Sequence, residues 1–500
     1  MGTYLSEREL AGLEPVQSGF GSAVPTQIIS NGEFNPLPQT PQQKQVEERL
    51  GQLADLHGKK QGLDRRAFLQ TSCGMAAAFL AMNEVYGDVF DVSEAEAATP
   101  EMMLERAAAM QHQFILDDQT HFLHDDFDQE GLLGLGVFAA EHWNPALDPA
   151  DLSLYYYKFE NYVRQIFFNS DTKVALLSGA PFDDPAWWLL PNDQIKEAVN
   201  MVNEVAGSRR MLGHFVITPG QDGWMDEVDR AITEIPPDAW KSYTIGDPLS
   251  AATKFPWRLD DEELMYPFYE KALKAGINTI AIHKGLMPAD YAESWKDVWQ
   301  YQTPWDIPKA ATDWPDMNFV VYHGCLRPFL ELPDQVLAQF EETGEIEWAS
   351  DLAKVSSEHG LTNVYAELGT SFANSATANP RFAAALLGTY IKHMGVDHVV
   401  WGTDSLWYGS PQWQIEALRR LEIPEDMQKK HGFAPLGGAT SAVKNQIFGY
   451  NSASLYNLDL REAYAPMEQD KFAAIKSVYD AKGGLNSADA ACGFIDTSAA

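Results

Sequence analysis

Sulfur is scarce in this chain. Cys73, Cys325 and Cys492 are its three cysteines in 500 residues; they stand far apart with no C-x-x-C spacing, which excludes a disulfide framework and a thiolate metal site. Cations are few as well. Lys and Arg number 36 against 71 Asp and Glu, a formal charge of −35, so nucleic acid and anionic membrane surfaces are poor partners and an anionic substrate must find a local cationic patch. No apolar run approaches the roughly twenty residues of a membrane-spanning helix, so no stable membrane anchor is expected. The acids are spread along the chain and read as a solvated surface. Apolar residues are plentiful at 45%, enough for a large core in two or three domains or in one large barrel with extensions.

Residues 1–63 are rich in Gln, Gly, Pro and Ser with few spaced apolar positions, and predict an extension of weak order. Residues 64–98 read as a twin-arginine signal: Arg65 and Arg66 lead into a short apolar run over 75–82, and Ala95, Ala97 and Ala98 supply an A-x-A-like cleavage site. That reading implies export to the periplasm. The break at Asn83 and Glu84 and the long stretch ahead of the arginines favour the alternative, a docked amphipathic helix on a cytoplasmic protein. Cys73 lacks a Leu three residues ahead of it, so no lipoprotein is expected.

From 112 to 458 short apolar runs alternate with helical stretches, the pattern of parallel βα units. Strands are expected at 114–121, 172–178, 211–218, 241–246, 278–283, 318–323, 363–368 and 398–404, with helices such as 192–206, 262–275, 333–342 and 380–394 between them. Eight such units close a (β/α)₈ barrel, followed by a helical tail at 459–500. A doubly wound open sheet is the second fold, but no G-x-G-x-x-G follows the first strand.

Barrels of this kind do chemistry at the C-terminal ends of their strands. There the sequence places His121 after strand 1, His283 after strand 5, His323 after strand 6 and Asp404 after strand 8. Imidazole nitrogens and carboxylate oxygens are ligands for a first-row divalent metal, and a catalytic site leaves a position open for water. One such histidine is ordinarily a core or surface residue; four coordinating types at one end of a barrel point to a site.

With the strand 8 motif Gly402-Thr403-Asp404 and the closing segment Ile447-Phe448-Gly449-Tyr450-Asn451-Ser452-Ala453-Ser454-Leu455-Tyr456, the pattern resembles the amidohydrolase superfamily, most closely the branch typified by aminocarboxymuconate semialdehyde decarboxylase. The resemblance implies a D-x-H-x-H motif on strand 1, His on strands 5 and 6, and a divalent metal, zinc with manganese as the other candidate, held by His121, His283 and Asp404. Gln119 stands where the branch has its first histidine, and an amide oxygen is the weaker donor. Either Gln119, Asp117 or Asp118 completes the site, or fewer ligands hold the metal, or no metal is held.

The resemblance further implies that Asp404 transfers the proton and that His323 orients water or stabilises an oxyanion. Lys284 and Arg327 lie just beyond strand ends and could clamp a substrate carboxylate; Glu367 and Asp247 could orient a histidine. Aromatic loops at Glu141-His142-Trp143, Pro185-Ala186-Trp187-Trp188 and Ser405-Leu406-Trp407-Tyr408 suit an apolar or aromatic small molecule, and a homodimer is compatible with the pattern. Three functions remain: a metal-dependent hydrolase, a non-oxidative decarboxylase of an aromatic or unsaturated acid, and a silent barrel acting as a binding subunit. If Arg65 and Arg66 direct export, changing both to Lys leaves the protein in the cytoplasm, as cell fractionation would read; undiminished periplasmic delivery retires the signal.

Overall fold

The computed structural model describes residues 22–26, 40–127, 154–246, 251–328, 331–481, 491–492 and 495–496. Eight strands pair in chain order: β1 (Leu116–Thr120), β2 (Val174–Leu177), β3 (Met211–Val216), β4 (Ala239–Tyr243), β5 (Thr279–His283), β6 (Asn318–Tyr322), β7 (Val364–Glu367) and β8 (Val399–Val400). All neighbours are parallel. The two ends of this sheet meet. Asp118 N–H donates to the Trp401 carbonyl at 2.8 Å, Asp404 N–H to that of Gln119 at 2.9 Å and His121 N–H to that of Ser405 at 2.6 Å, so the sheet is a (β/α)₈ barrel and not an open doubly wound sheet.

Strands apolar on both faces fit this closure, because one face meets the barrel interior and the other the helices. Leu116, Leu176, Leu212, Ala281, Val320 and Val400 pack together inside. The helix Asn192–Ala206 shows the outer layer: Ile195, Val199, Val202 and Ala206 recur at helical spacing and are buried, and Gly207 ends it at φ 83°. β8 is shorter than the expected 398–404 because the chain beyond Val400 leaves the β7 ladder and bonds to β1 before Asp404 turns at φ 57°. In β1 the register shifts between Asp117 and Thr120.

The stretch expected to be a weakly ordered extension to residue 63 contains a helix, Pro41–Gln61. Its start is a capping box: the Gln43 N–H donates to Thr40 Oγ1 while the Thr40 N–H donates to Gln43 Oε1. The apolar run of the signal-like segment is the second half of a helical hairpin, Ser72–Tyr86, in which Ala76, Ala77, Ala78, Phe79 and Ala81 are wholly buried. Asn83, which interrupts the run in sequence, closes its end: Oδ1 accepts from the Phe90 N–H at 2.9 Å and Nδ2 donates to the Phe90 carbonyl at 2.7 Å. This hairpin is docked on the barrel. The Arg420 guanidinium lies 5.7 Å from the Phe79 ring centre and 2.8 Å from Glu96, and the Asp91 N–H donates to the Arg420 carbonyl. Among the described residues no helix is long and apolar enough to cross a membrane.

The tail forms helices Leu460–Met467 and Lys471–Ala481 against the barrel, anchored where Arg210 meets Asp470 at 2.7 Å. Beyond them Ala491–Cys492 pairs antiparallel with Ile495–Asp496, so the tail is not helical throughout. Phe79→Ala should cost roughly 3–5 kcal/mol, since it empties a closed interface between hairpin and barrel; denaturant unfolding measures it, and a cost near zero would mean that the hairpin is not part of the cooperative unit.

Candidate functional site

Closing β1 against the end of β8 sets two polar segments side by side. Asp117 is the fastener: Oδ1 accepts from the Thr403 N–H at 2.9 Å and Oδ2 from the Thr403 hydroxyl at 2.5 Å. Further along the two segments His121 Nε2 and Asp404 Oδ1 stand 3.1 Å apart, both nearly wholly buried, and Gln119 Nε2 lies 3.3 Å from His121 Nε2. Each member is held from behind. His121 Nδ1–H donates to the Ser178 carbonyl at 2.7 Å, the ring stacks on Trp407 at 6.2 Å, and the Thr370 hydroxyl donates to Asp404 Oδ2. With its proton on Nδ1, His121 turns the lone pair of Nε2 toward a carboxylate oxygen. A proton on Nε2 or a cation shared between the two would join this nitrogen to the carboxylate.

Gln119 occupies a cradle that two glycines keep open. A Cβ at Gly369 would lie 2.3 Å from Gln119 Oε1, and a Cβ at Gly402 would lie 1.8 Å from Glu367 Oε1 and 3.1 Å from Gln119 Cβ. Gln119 Oε1 is buried with no hydrogen-bond partner. The amide oxygen is therefore available to a cation at the His121 and Asp404 pair if the amide turns over.

His283 and His323 share another part of the rim. Their rings meet edge to face at 4.7 Å, and His283 stacks on Tyr243 at 4.4 Å. His323 sits at φ 61° and its N–H donates to Glu367 Oε2 at 3.1 Å; a left-handed non-glycine residue costs about 1–3 kcal/mol and survives where its surroundings fix it. Glu367 also accepts from the Gly369 N–H at 2.6 Å. Burial holds both imidazoles neutral: His283 falls to about 3 and His323 goes well below the ordinary value, with Lys241 adding to both effects.

The four ligands expected from the sequence are thus not gathered as one set. Among the described residues no three His, Cys, Asp or Glu side chains stand close enough to hold a metal ion. The assembled part is His121 with Asp404, flanked by the Gln119 amide; His283 is drawn aside by its stack on Tyr243. Nor do the expected carboxylate clamps face a substrate. Lys284 donates to the Tyr301 carbonyl at 2.8 Å and pairs with Asp306 at 3.1 Å, wholly buried, while Arg327 is taken up by Glu331 and Glu347. Of the loops, Trp407 and Tyr408 are buried, Trp187 is exposed, and Glu141-His142-Trp143 and Asp247 lie outside the described residues.

Sequence reasoning passed over Thr370, His214, whose Nδ1 meets Ser178 Oγ at 2.9 Å, and Lys241. A lysine and a histidine in the middle of otherwise apolar strands are a readable signal of something polar inside the barrel. Beneath the site burial raises Asp117 to about 7 and Asp118 to about 8, drives Glu367 well above the usual carboxylate range and lowers Lys241 to about 7. The floor of the barrel is a layer of desolvated groups that resist charge.

The sequence model of the amidohydrolase family matches residues 191–458, more than half of the chain, and the chain belongs to that family. β1, with Gln119 and His121, precedes the matched span. No curated protein matches the sequence. Similar solved structures include a 2,6-dihydroxybenzoate decarboxylase from Rhizobium, 14% identical over 69% of this chain and 99% of that one, with a TM-score of 0.40. A 5-carboxyvanillate decarboxylase from Sphingomonas paucimobilis is 12% identical over 69% and 100%, with a TM-score of 0.40. An uncharacterised barrel protein from Bordetella bronchiseptica is 12% identical over 69% and 98%, with a TM-score of 0.42.

The buried acids give stability a pH signature. Asp118 keeps its proton in the folded chain up to about pH 8, whereas in the unfolded chain it loses it near pH 3.9. Between those values the folded state binds the extra proton, so this contribution is full below about pH 4 and is lost as pH rises through about 8. Asp118→Asn should flatten that part of the stability–pH curve in denaturant titrations; an unchanged slope would mean that Asp118 is ionised in the fold.

Proposed function

We propose that this member of the amidohydrolase superfamily is a metal-dependent hydrolase acting on a small aromatic or carboxylate-bearing molecule. The observation that carries the reading is the facing pair, His121 Nε2 and Asp404 Oδ1 at 3.1 Å, each braced so that its free atom points at the other. A divalent ion, zinc or manganese, would rest on His121, Asp404 and the Gln119 amide oxygen, with His283 the further imidazole within the same rim. Once bound it supplies polarisation of a substrate oxygen and a more acidic water.

The chain's own groups do the rest. Asp404 holds the position for moving a proton: Thr370 occupies Oδ2, leaving Oδ1 for exchange. His121 cannot rotate away, because the Ser178 carbonyl fixes its Nδ1–H. His323, neutral and with Nδ1 unpartnered, is suited to orient water or an oxyanion. Trp407 over His121 and Tyr243 over His283 give the rim aromatic surfaces that a flat substrate can stack on.

Non-oxidative decarboxylation is the second reading, favoured by the protonated acids below the rim. Loss of CO₂ leaves a carbanion that needs a proton and a dry surround, and Asp117, Asp118 and Glu367 are buried acids with raised pKa values. Carbon dioxide release separates the two reactions. Metal content of the purified protein tests their common premise: one divalent ion per chain is expected, His121→Ala should lower metal affinity, and Asp404→Asn should abolish turnover. Gln119→His should hold metal as well or better, since imidazole replaces an amide donor. If both Asp404→Asn and His121→Ala bind metal and ligand as the parent does, the enzyme reading falls and a silent barrel remains.

A further inference from the structure

Lys241 lies midway along β4, and its side chain is wholly buried in the barrel. Its Nζ has no hydrogen-bond partner. The amine stands on the face of Tyr322, 3.4 Å from the ring centre, and 5.2 Å from that of Tyr243. Both rings belong to the level above Lys241, since Tyr243 pairs with His283 and His283 with Tyr322. The side chain therefore climbs toward the rim. Around it stand Asp118, Glu367 and Asp404, and the imidazoles of His214, His283 and His323, all of which feel its charge.

A buried amine without an acceptor is costly, because the hydrogen bonds it gave up to water are not replaced. An apolar side chain would fill the space on Tyr322 without that cost. The other cations near the strand ends, Lys284 and Arg327, are already ion-paired. Resting on the reading of the substrate given above, we propose that Lys241 is the anion-receiving floor of the site, where its Nζ takes a carboxylate or phenolate oxygen of an aromatic substrate. Tyr243, stacked on His283, joins this floor to the rim.

Benzoate is the probe, titrated calorimetrically into the full chain stripped of metal by chelator and again after zinc is added. The parent should bind it in both states. Lys241→Met, whose thermal unfolding shows whether it folds, should weaken binding at least about tenfold, the worth of one charge-assisted hydrogen bond. Should that variant fail to fold, the parent serves: cyanate labelling of Lys241, followed by peptide mass, should slow severalfold with benzoate present. Benzoate that does not bind the parent, binds Lys241→Met equally, or leaves Lys241 labelling unchanged overturns the proposal. The hydrolase reading fails separately: chains that hold no metal and turn nothing over would remove it, while Lys241-dependent benzoate binding would still stand.

Discussion

The candidate site depends on one closure, the meeting of β1 with the end of β8. Neither segment carries a site alone. Asp117 clasps Thr403 through both its oxygens, and the backbone bonds from Asp404 to Gln119 and from His121 to Ser405 continue the seam to the rim. These bonds fix how far His121 rises on one side and Asp404 on the other, which is why two residues 283 positions apart in sequence face each other at 3.1 Å. The register shift within β1 belongs to the same constraint, since it brings the Gln119 amide beside the His121 ring. Gly402 belongs to it too: a side chain there would meet Glu367, which in turn holds the His323 N–H.

The eight strands were legible because each is a short apolar run between helices with ordinary start and stop signals, and parallel strands buried on both faces leave little else for such runs to do. Strand ends were less legible. β8 ends its ladder with β7 at Val400, four residues short of Asp404, because the last residues serve the seam with β1; that depends on a neighbour far away in sequence. The site was legible as residue types at strand ends and not as geometry. His121 and Asp404 meet, yet His283 prefers the face of Tyr243, and nothing in the isolated run Ile280-Ala281-Ile282-His283 announces a tyrosine across the register. Lys284 and Arg327 read as free cations because Asp306 and Glu347, their partners, arrive from loops 20 or so residues further on.

The N-terminal hairpin shows a different ambiguity. Arg65 and Arg66 followed by a short apolar run is a sequence pattern, whereas burial is a property of the folded chain, and one segment can carry both. In the fold the run buries its small residues against the helix Pro41–Gln61, and Arg420 sets its guanidinium over Phe79. A segment read in transit must be exposed when it is read; once folded, this one is part of the interface with the barrel.

Charge is what the barrel interior controls most closely. A chain with 35 more acidic than basic residues places most of them in water, yet beneath the rim it keeps Asp117, Asp118, Glu367 and Lys241 where water is absent. In such a place a carboxyl holds its proton and an amine tends to give its proton up, so acids and base approach neutrality together and tolerate close packing without ion pairs. The consequence is electrostatic reserve. An anion entering from the rim meets neutral acids that do not repel it and an amine able to take up a proton, and the surrounding low dielectric strengthens whatever contact forms. The Gln119 amide extends the same economy to the rim itself, because a neutral donor beside His121 leaves Asp404 as the one carboxylate of the facing pair and its flank.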